Sequence, residues 1–268
     1  MVNMNSMINI NSDMGEGFGI YKLGDDEALM PYITEANVAC GFHASDPNHM
    51  KHTVELAKRY GVKVGAHFSL PDLQGFGRRK MHLSQAELHN MIVYQIGALK
   101  GFLDMLGMPL NHLKPHGVLY GMAASDPEIA ETIANIALHY QVPVFGLTGT
   151  CHEKVYKSKG VGFVAEFFTD LDYDQHGHLV ITQTHEATDP NYAATRVKKA
   201  VEQGAVTATN GDEIPVVAQT VCVHSDTPNA LDIAKAVNKT LQQHLPSRER
   251  TLKSQKELST DGSSIFKE

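Results

Sequence analysis

In the stretch Val62-Lys63-Val64-Gly65-Ala66-His67, residues 62–66 read as a β-strand that delivers a histidine at its end. Further on, Ser84-Gln85-Ala86-Glu87 has the form of a capping box, in which serine and glutamate satisfy free N–H groups of a first helical turn. It opens a long helix whose apolar stripe includes Leu88, Ile92, Ile96, Leu99 and Leu103, with Gly107 as its stop. The next β-rich run is 111–115. Strand, helix and strand in this order form the repeating unit of a parallel sheet.

The same alternation extends both ways. Further strands are expected at 7–11, 36–40, 142–147, 161–167 and 217–223. Ser125-Asp126-Pro127-Glu128 starts another helix, with Ile129, Ile133, Ile136 and Tyr140 facing inward. Asp46-Pro47, Asp189-Pro190 and Thr227-Pro228 each set an N-cap residue before a proline, which needs no backbone N–H at the first helical position. Two excursions interrupt the pattern. Residues 168–188 hold an acidic run, read as a solvated loop because the EF-hand spacing is missing, followed by a short strand Leu179–Thr182. Residues 205–216 contain the hairpin signal Asn210-Gly211. A length of 268 residues suits one α/β barrel of roughly 250 residues, so a single β/α-barrel domain is expected over 1–245 and a flexible tail over 246–268.

Composition narrows the function. At 42% hydrophobic the chain can bury a large core. The 23 Lys plus Arg against 30 Asp plus Glu leave a net charge of −7 with no long basic run, which argues against nucleic acid as a partner. No apolar stretch approaches the roughly 20 residues of a membrane span, and the first residues lack the basic start and apolar core of a signal peptide. Cys40, Cys151 and Cys222 cannot all pair and form no Cys-x-x-Cys, so a reducing cytoplasm is expected. Fifteen histidines call for a closer look, because imidazole is both the commonest metal ligand and the commonest general acid or base.

Polar residues recur just after the expected strands. Asp13 and Glu16 follow the first, His43 the second and His67 the third; Lys114 and His116 end the fourth; Glu166 and Asp170 close the sixth; His224 and Asp226 follow the last. In a closed parallel barrel these ends meet on one face, the face that carries the active site. Helix capping is the competing reading for Asp46 and Asp226, and plain surface charge for Arg78 and Arg79 in Gly75-Phe76-Gly77-Arg78-Arg79. The glycine-rich Asp13-Met14-Gly15-Glu16-Gly17-Phe18-Gly19 lacks the Gly-Lys-Ser/Thr ending of a phosphate loop, which favours a carboxylate pair held in a shaped loop.

Six blocks carry a family resemblance: Asn11-Ser12-Asp13-Met14-Gly15-Glu16, Ala39-Cys40-Gly41-Phe42-His43-Ala44-Ser45-Asp46-Pro47, Gly65-Ala66-His67, Pro71-Asp72-Leu73-Gln74-Gly75-Phe76-Gly77-Arg78-Arg79, Lys114-Pro115-His116-Gly117 and Cys222-Val223-His224-Ser225-Asp226-Thr227-Pro228. From about residue 7 to 243 the chain resembles the LamB/YcsF family. The chain departs from the usual family pattern at Asn9, at Ser45 and Ser225 where glycine is common, at Phe68 where proline is common, and at Leu171 where an arginine is usual.

The resemblance implies a seven-stranded, TIM-like β/α barrel similar to the glycoside hydrolase/deacetylase architecture. It also implies ATP-dependent opening of 5-oxo-L-proline to L-glutamate, with ATP as co-substrate and 5-oxoprolinase subunits B and C as partners. On that reading Asp13 or Glu16 is the general base, Lys114 a charge clamp, and His116 or His224 the proton donor; Asp46, Arg78, Arg79, Glu166, Asp170 and Asp226 are expected to bind substrate. Two alternatives accompany it: a divalent metal on Asp13, His43 and His67, as in the deacetylase relatives, and a subunit that binds substrate without chemistry of its own.

Overall fold

A computed structural model describes residues 8–180 and 186–243. Its strands are β1 (Asn9–Met14), β2 (Glu35–Ala39), β3 (Lys63–Phe68), β4 (Leu110–Pro115), β5 (Val144–Gly146), β6 (Phe163–Phe168), β7 (Ala205–Thr207), β8 (Glu213–Pro215) and β9 (Thr220–Cys222). Seven of them, all parallel, close into a barrel in the order β1-β2-β3-β4-β5-β6-β9, with β9 seated between β6 and β1. β7 and β8 form a separate antiparallel hairpin around Asn210-Gly211. The seven-stranded parallel barrel is therefore as expected.

The surrounding helices are α1 (Asp26–Leu29), α2 (Pro47–Tyr60), α3 (Gln85–Met105), α4 (Gly117–Ser125), α5 (Pro127–Tyr140), α6 (Cys151–Ser158), α7 (Pro190–Gln203) and α8 (Ala230–Gln243). Asp46 caps α2 and Asp189 caps α7, each ahead of a proline, and Ser84 with Glu87 completes the capping box of α3. Leu88, Ile92, Ile96, Leu99 and Leu103 turn one buried face of α3 to the core between helices and sheet. No helix among the described residues is long and apolar enough to cross a membrane.

Some local expectations are corrected. α5 is capped by Asp126, whose side chain accepts from the Glu128 N–H, while Ser125 ends α4 and bonds back to Gly121. α8 begins at Ala230 rather than at Thr227-Pro228, because the Thr227 hydroxyl is committed to Asp170 and its carbonyl to the Ala230 N–H. In place of a strand from Leu179 there is one bridge from Leu179 to Tyr173; residues 181 and 182 lie outside the described residues, as does the expected tail 246–268. β1 runs to Met14 instead of stopping at residue 11, so Asp13 is a strand residue facing inward, not part of a following loop.

The barrel interior is polar near this end. Asn37 Nδ2 donates to Asn11 Oδ1 at 2.8 Å and to Asp13 Oδ1 at 2.7 Å, and His112 Nε2 lies 2.6 Å from Asn37 Oδ1. Asn11 Nδ2 donates to the Thr220 hydroxyl, which donates to Glu35. These buried polar groups are tolerated because they bond to one another. Gly65 is required here: a Cβ on it would sit 2.2 Å from the His112 ring, which stacks on Phe145.

Candidate active site

Barrel closure brings residues from six strands or their following loops together. In register, His67 of β3 lies beside Lys114 of β4, and Asp13 of β1 beside Asn37 of β2. Lys114 Nζ donates to Asp13 Oδ1 at 2.8 Å and lies 2.9 Å from Glu166 Oε1 of β6. This ammonium is buried at the floor of the site. Burial disfavours its charge, yet Asp13 and Glu166 outweigh that cost and hold its pKa well above the ordinary lysine value. Burial alone would raise the Asp13 pKa, but His67 and Lys114 drive it well down, so Asp13 is a carboxylate.

A second layer sits on the loops. Glu16 Oε1 lies 3.0 Å from His43 Nε2, 3.5 Å from His116 Nδ1 and 4.0 Å from His67 Nε2. Burial, reinforced by the negative charge of Asp13, raises the Glu16 pKa well above the carboxylate range. Burial and neighbouring imidazoles or cations hold His43 and His116 well below the ordinary histidine value, so both rings are neutral. His116 is fixed by Nε2–H donation to the Phe76 carbonyl at 2.7 Å, and the loop carrying Phe76 is itself tight: Gly77 has φ 65°, where a Cβ would meet Ser69 Oγ at 2.3 Å.

His224 differs from the other imidazoles. Its Nδ1 lies 2.8 Å from Asp170 Oδ1, and its Nε2 lies 3.7 Å from Asp13 Oδ2. Burial opposes a charge on this ring, but Asp170 and Asp13 raise its pKa to about 9, making it an imidazolium at neutral pH.

An inner cavity of about 40 Å³ is lined by Asp13, His67, Lys114, His116 and His224 among others. It borders a groove of about 510 Å³ under α4 and α5, and Arg78, Tyr120 and Leu179 line both. Arg78 Nη2 donates to Asp226 Oδ2 at 2.7 Å, tying the loop after β3 to the loop after β9. Asp13, Glu16, Lys114, His116, His224, Glu166 and Asp170 thus converge, joined at the rim by Arg78 and Asp226. Asp46 and Arg79 do not: Asp46 accepts from the Asn48, His49 and Gly19 N–H groups, and the half-exposed Arg79 pairs with Asp72.

Asn11, Asn37 and His112 escaped the sequence reading, since Asn37 lies in an otherwise apolar run. The available signal was the period of two in Asn9, Asn11 and Asp13, in Glu35 and Asn37, and in His112 and Lys114, which marks one face of each strand.

Among the described residues, two groups offer metal-donor atoms lying within 4.8 Å of one another: Glu16, His43, His67 and His116, and separately Asp13, Cys222 and His224. Asp13, His43 and His67, the set expected from the resemblance, are divided between them. Imidazole nitrogens and carboxylate oxygens suit zinc and similar divalent ions, so the first group fits such a cation chemically.

Comparison with known proteins agrees with the fold. The LamB/YcsF family model matches residues 8–256. The lactam utilization protein lamB of Emericella nidulans is 45% identical over 238 residues, 87% of this chain and 94% of that protein. The A component of the Bacillus cereus 5-oxoprolinase is 42% identical over 241 residues, 88% of this chain and 95% of its own length. The crystal structure of the lactam utilization protein from Thermus thermophilus superposes with a TM-score of 0.82 at 41% identity, covering 89% of this chain and 97% of that one. With a match of this extent on a barrel that gathers the same six blocks, the chain belongs to the LamB/YcsF family.

Proposed function

We propose that this protein is a hydrolase subunit that opens the cyclic amide 5-oxo-L-proline to L-glutamate in an ATP-dependent complex with 5-oxoprolinase subunits B and C. The names of its relatives support the lactam, and the site supplies the chemistry. The observation carrying the reading is the buried Lys114 ammonium clasped by Asp13 and Glu166 beside a charged His224. Three free cysteines support a cytoplasmic setting.

An amide resists water because its nitrogen lone pair is delocalised. Transfer of the γ-phosphoryl group of ATP to the lactam oxygen leaves ADP and makes the ring carbon electrophilic. A first water then adds to that carbon and gives its proton to a base. The ring C–N bond breaks with its electron pair on nitrogen, which takes a proton, leaving γ-glutamyl phosphate; a second water releases phosphate and glutamate. Asp13 is the base, because its carboxyl is held low by His67 and Lys114 whereas burial raises that of Glu16. His224 is the proton donor, because His116 is kept neutral. Lys114 offsets negative charge on the phosphorylated oxygen, and Arg78 at the rim binds the substrate carboxylate.

The test is reconstitution with subunits B and C, following oxoproline-dependent ATP cleavage and glutamate release. Lys114→Ala and Asp13→Asn should each lower turnover at least a hundredfold. Near-normal turnover in both would leave a binding subunit, without chemistry of its own, as the reading. Labelled nucleotide shows which subunit holds ATP.

A further inference from the structure

Hydrogen bonds on the outer edges of His67 and His116 fix what their inner edges present. His67 Nδ1 lies 3.0 Å from the Lys114 carbonyl and His116 Nε2 lies 2.7 Å from the Phe76 carbonyl. A carbonyl oxygen only accepts, so each of these nitrogens carries the proton. The remaining ring nitrogens, His67 Nε2 and His116 Nδ1, face one another at 3.0 Å, and His67 Nε2 also lies 3.4 Å from Asp13 Oδ2. Two acceptors at that distance repel unless something positive lies between them. A proton there charges one buried ring, whereas a metal ion satisfies both and leaves both neutral. Anchoring of the remote N–H by a carbonyl is the arrangement that orients imidazoles on metals.

A third donor completes the outline. Glu16 Oε1 is 3.5 Å from His116 Nδ1 and 4.0 Å from His67 Nε2. With the 3.0 Å imidazole separation, these three atoms lie on a circle of radius about 2.1 Å, which matches the ~2.0–2.2 Å bond lengths of zinc to nitrogen and carboxylate oxygen. Charge points the same way: besides Glu16, the carboxylates of Asp13, Glu166, Asp170 and Asp226 face three cations, Lys114, Arg78 and His224.

His43 takes a different part. Its ring stacks on that of His116 with centroids 3.7 Å apart and planes 7° from parallel. Lone pairs lie in the ring planes, and parallel planes do not meet, so His43 and His116 cannot both aim at one ion. His43 Nε2 instead lies 3.0 Å from Glu16 Oε1, where it orients the carboxylate.

We propose that Glu16, His67 and His116 bind one divalent transition-metal ion, zinc by preference, with His43 as a positioning residue for Glu16. Two imidazoles and one carboxylate leave coordination positions open for a small ligand, as catalytic rather than structural zinc sites do. The site does not depend on which bond the enzyme breaks.

The full chain, stripped with chelator and judged folded by circular dichroism, is titrated with Co²⁺ and then Zn²⁺. The expected result is one Co²⁺ per chain with visible ligand-field absorption, displaced by one equivalent of Zn²⁺. His67→Ala and His116→Ala should each weaken affinity a hundredfold or more. His43→Ala should still bind one ion, about 10–100-fold more weakly, and the exposed control His89→Ala should bind as the parent does. Absence of saturable Co²⁺ binding by the parent chain overturns the proposal, and so does binding that survives His67→Ala and His116→Ala unchanged. The parent titration decides even if a variant fails to fold, and no turnover assay enters the result, so a wrong substrate assignment would not mimic failure.

Discussion

Lys114 Nζ lies 2.8 Å from Asp13 Oδ1, although 101 residues separate them in the chain. The contact exists because β1 and β4 belong to one closed barrel, where inward side chains on different strands reach a shared interior. Glu166 approaches the same ammonium from a third strand, within 2.9 Å but without the alignment of a hydrogen bond.

Removing one partner of this cluster should cost more than removing both. Lys114→Met leaves two buried carboxylates uncompensated and should lower unfolding stability by about 3–5 kcal/mol. Adding Asp13→Asn to it should cost less than the sum of the single changes by at least about 1 kcal/mol. Urea denaturation of the four proteins measures the coupling, and strict additivity would mean the pair is not a unit.

His224 should impose a pH dependence on stability. Its pKa is about 9 in the fold and about 6.5 in an unfolded chain, so folding favours the protonated ring. The contribution, on the order of 3 kcal/mol, is fully present below pH about 6.5 and fades as pH rises through 9. Comparing urea midpoints of chelator-treated parent and His224→Gln isolates this group from others that titrate. The parent should lose stability between pH 6.5 and 9 relative to the variant; parallel curves would refute the imidazolium.

The two adjacent arginines should separate. Arg78 lines the inner cavity and the outer groove, whereas Arg79 pairs with Asp72 at the exterior. In the reconstituted enzyme Arg78→Ala should raise the KM for oxoproline about 10–100-fold, the worth of a charged hydrogen bond. Arg79→Ala should change it less than about twofold. Equal effects would remove Arg78 from carboxylate binding.

Ser45 has φ 77° with its N–H bonded to the Gly17 carbonyl, a left-handed conformation that penalises a side chain. Ser45→Gly should therefore raise stability by about 0.5–1 kcal/mol, the relief exceeding glycine's greater entropy when unfolded. A lower melting temperature would show that the serine contributes something the backbone strain does not reveal.

Much of this molecule was legible along the chain. The alternation of β-rich runs with capped amphipathic segments such as 84–106 pointed to a parallel α/β sheet, and local chemistry marked the starts of α2, α3 and α7, because caps and prolines act within a few residues of themselves. The grouping of Asp13, Lys114, Glu166 and His224 was also legible, once the polar residues at successive strand ends were placed on one barrel face. Distances and protonation states were not. That burial raises the Glu16 pKa while Asp13 is driven down, and that Asp170 and Asp13 raise His224 while burial holds His43 and His116 low, follow from burial and from neighbours dozens or hundreds of residues away. Sequence fixes which groups are available and how the backbone starts and stops; only closure of the barrel sets the desolvation and the few-ångström separations on which charge and reactivity depend.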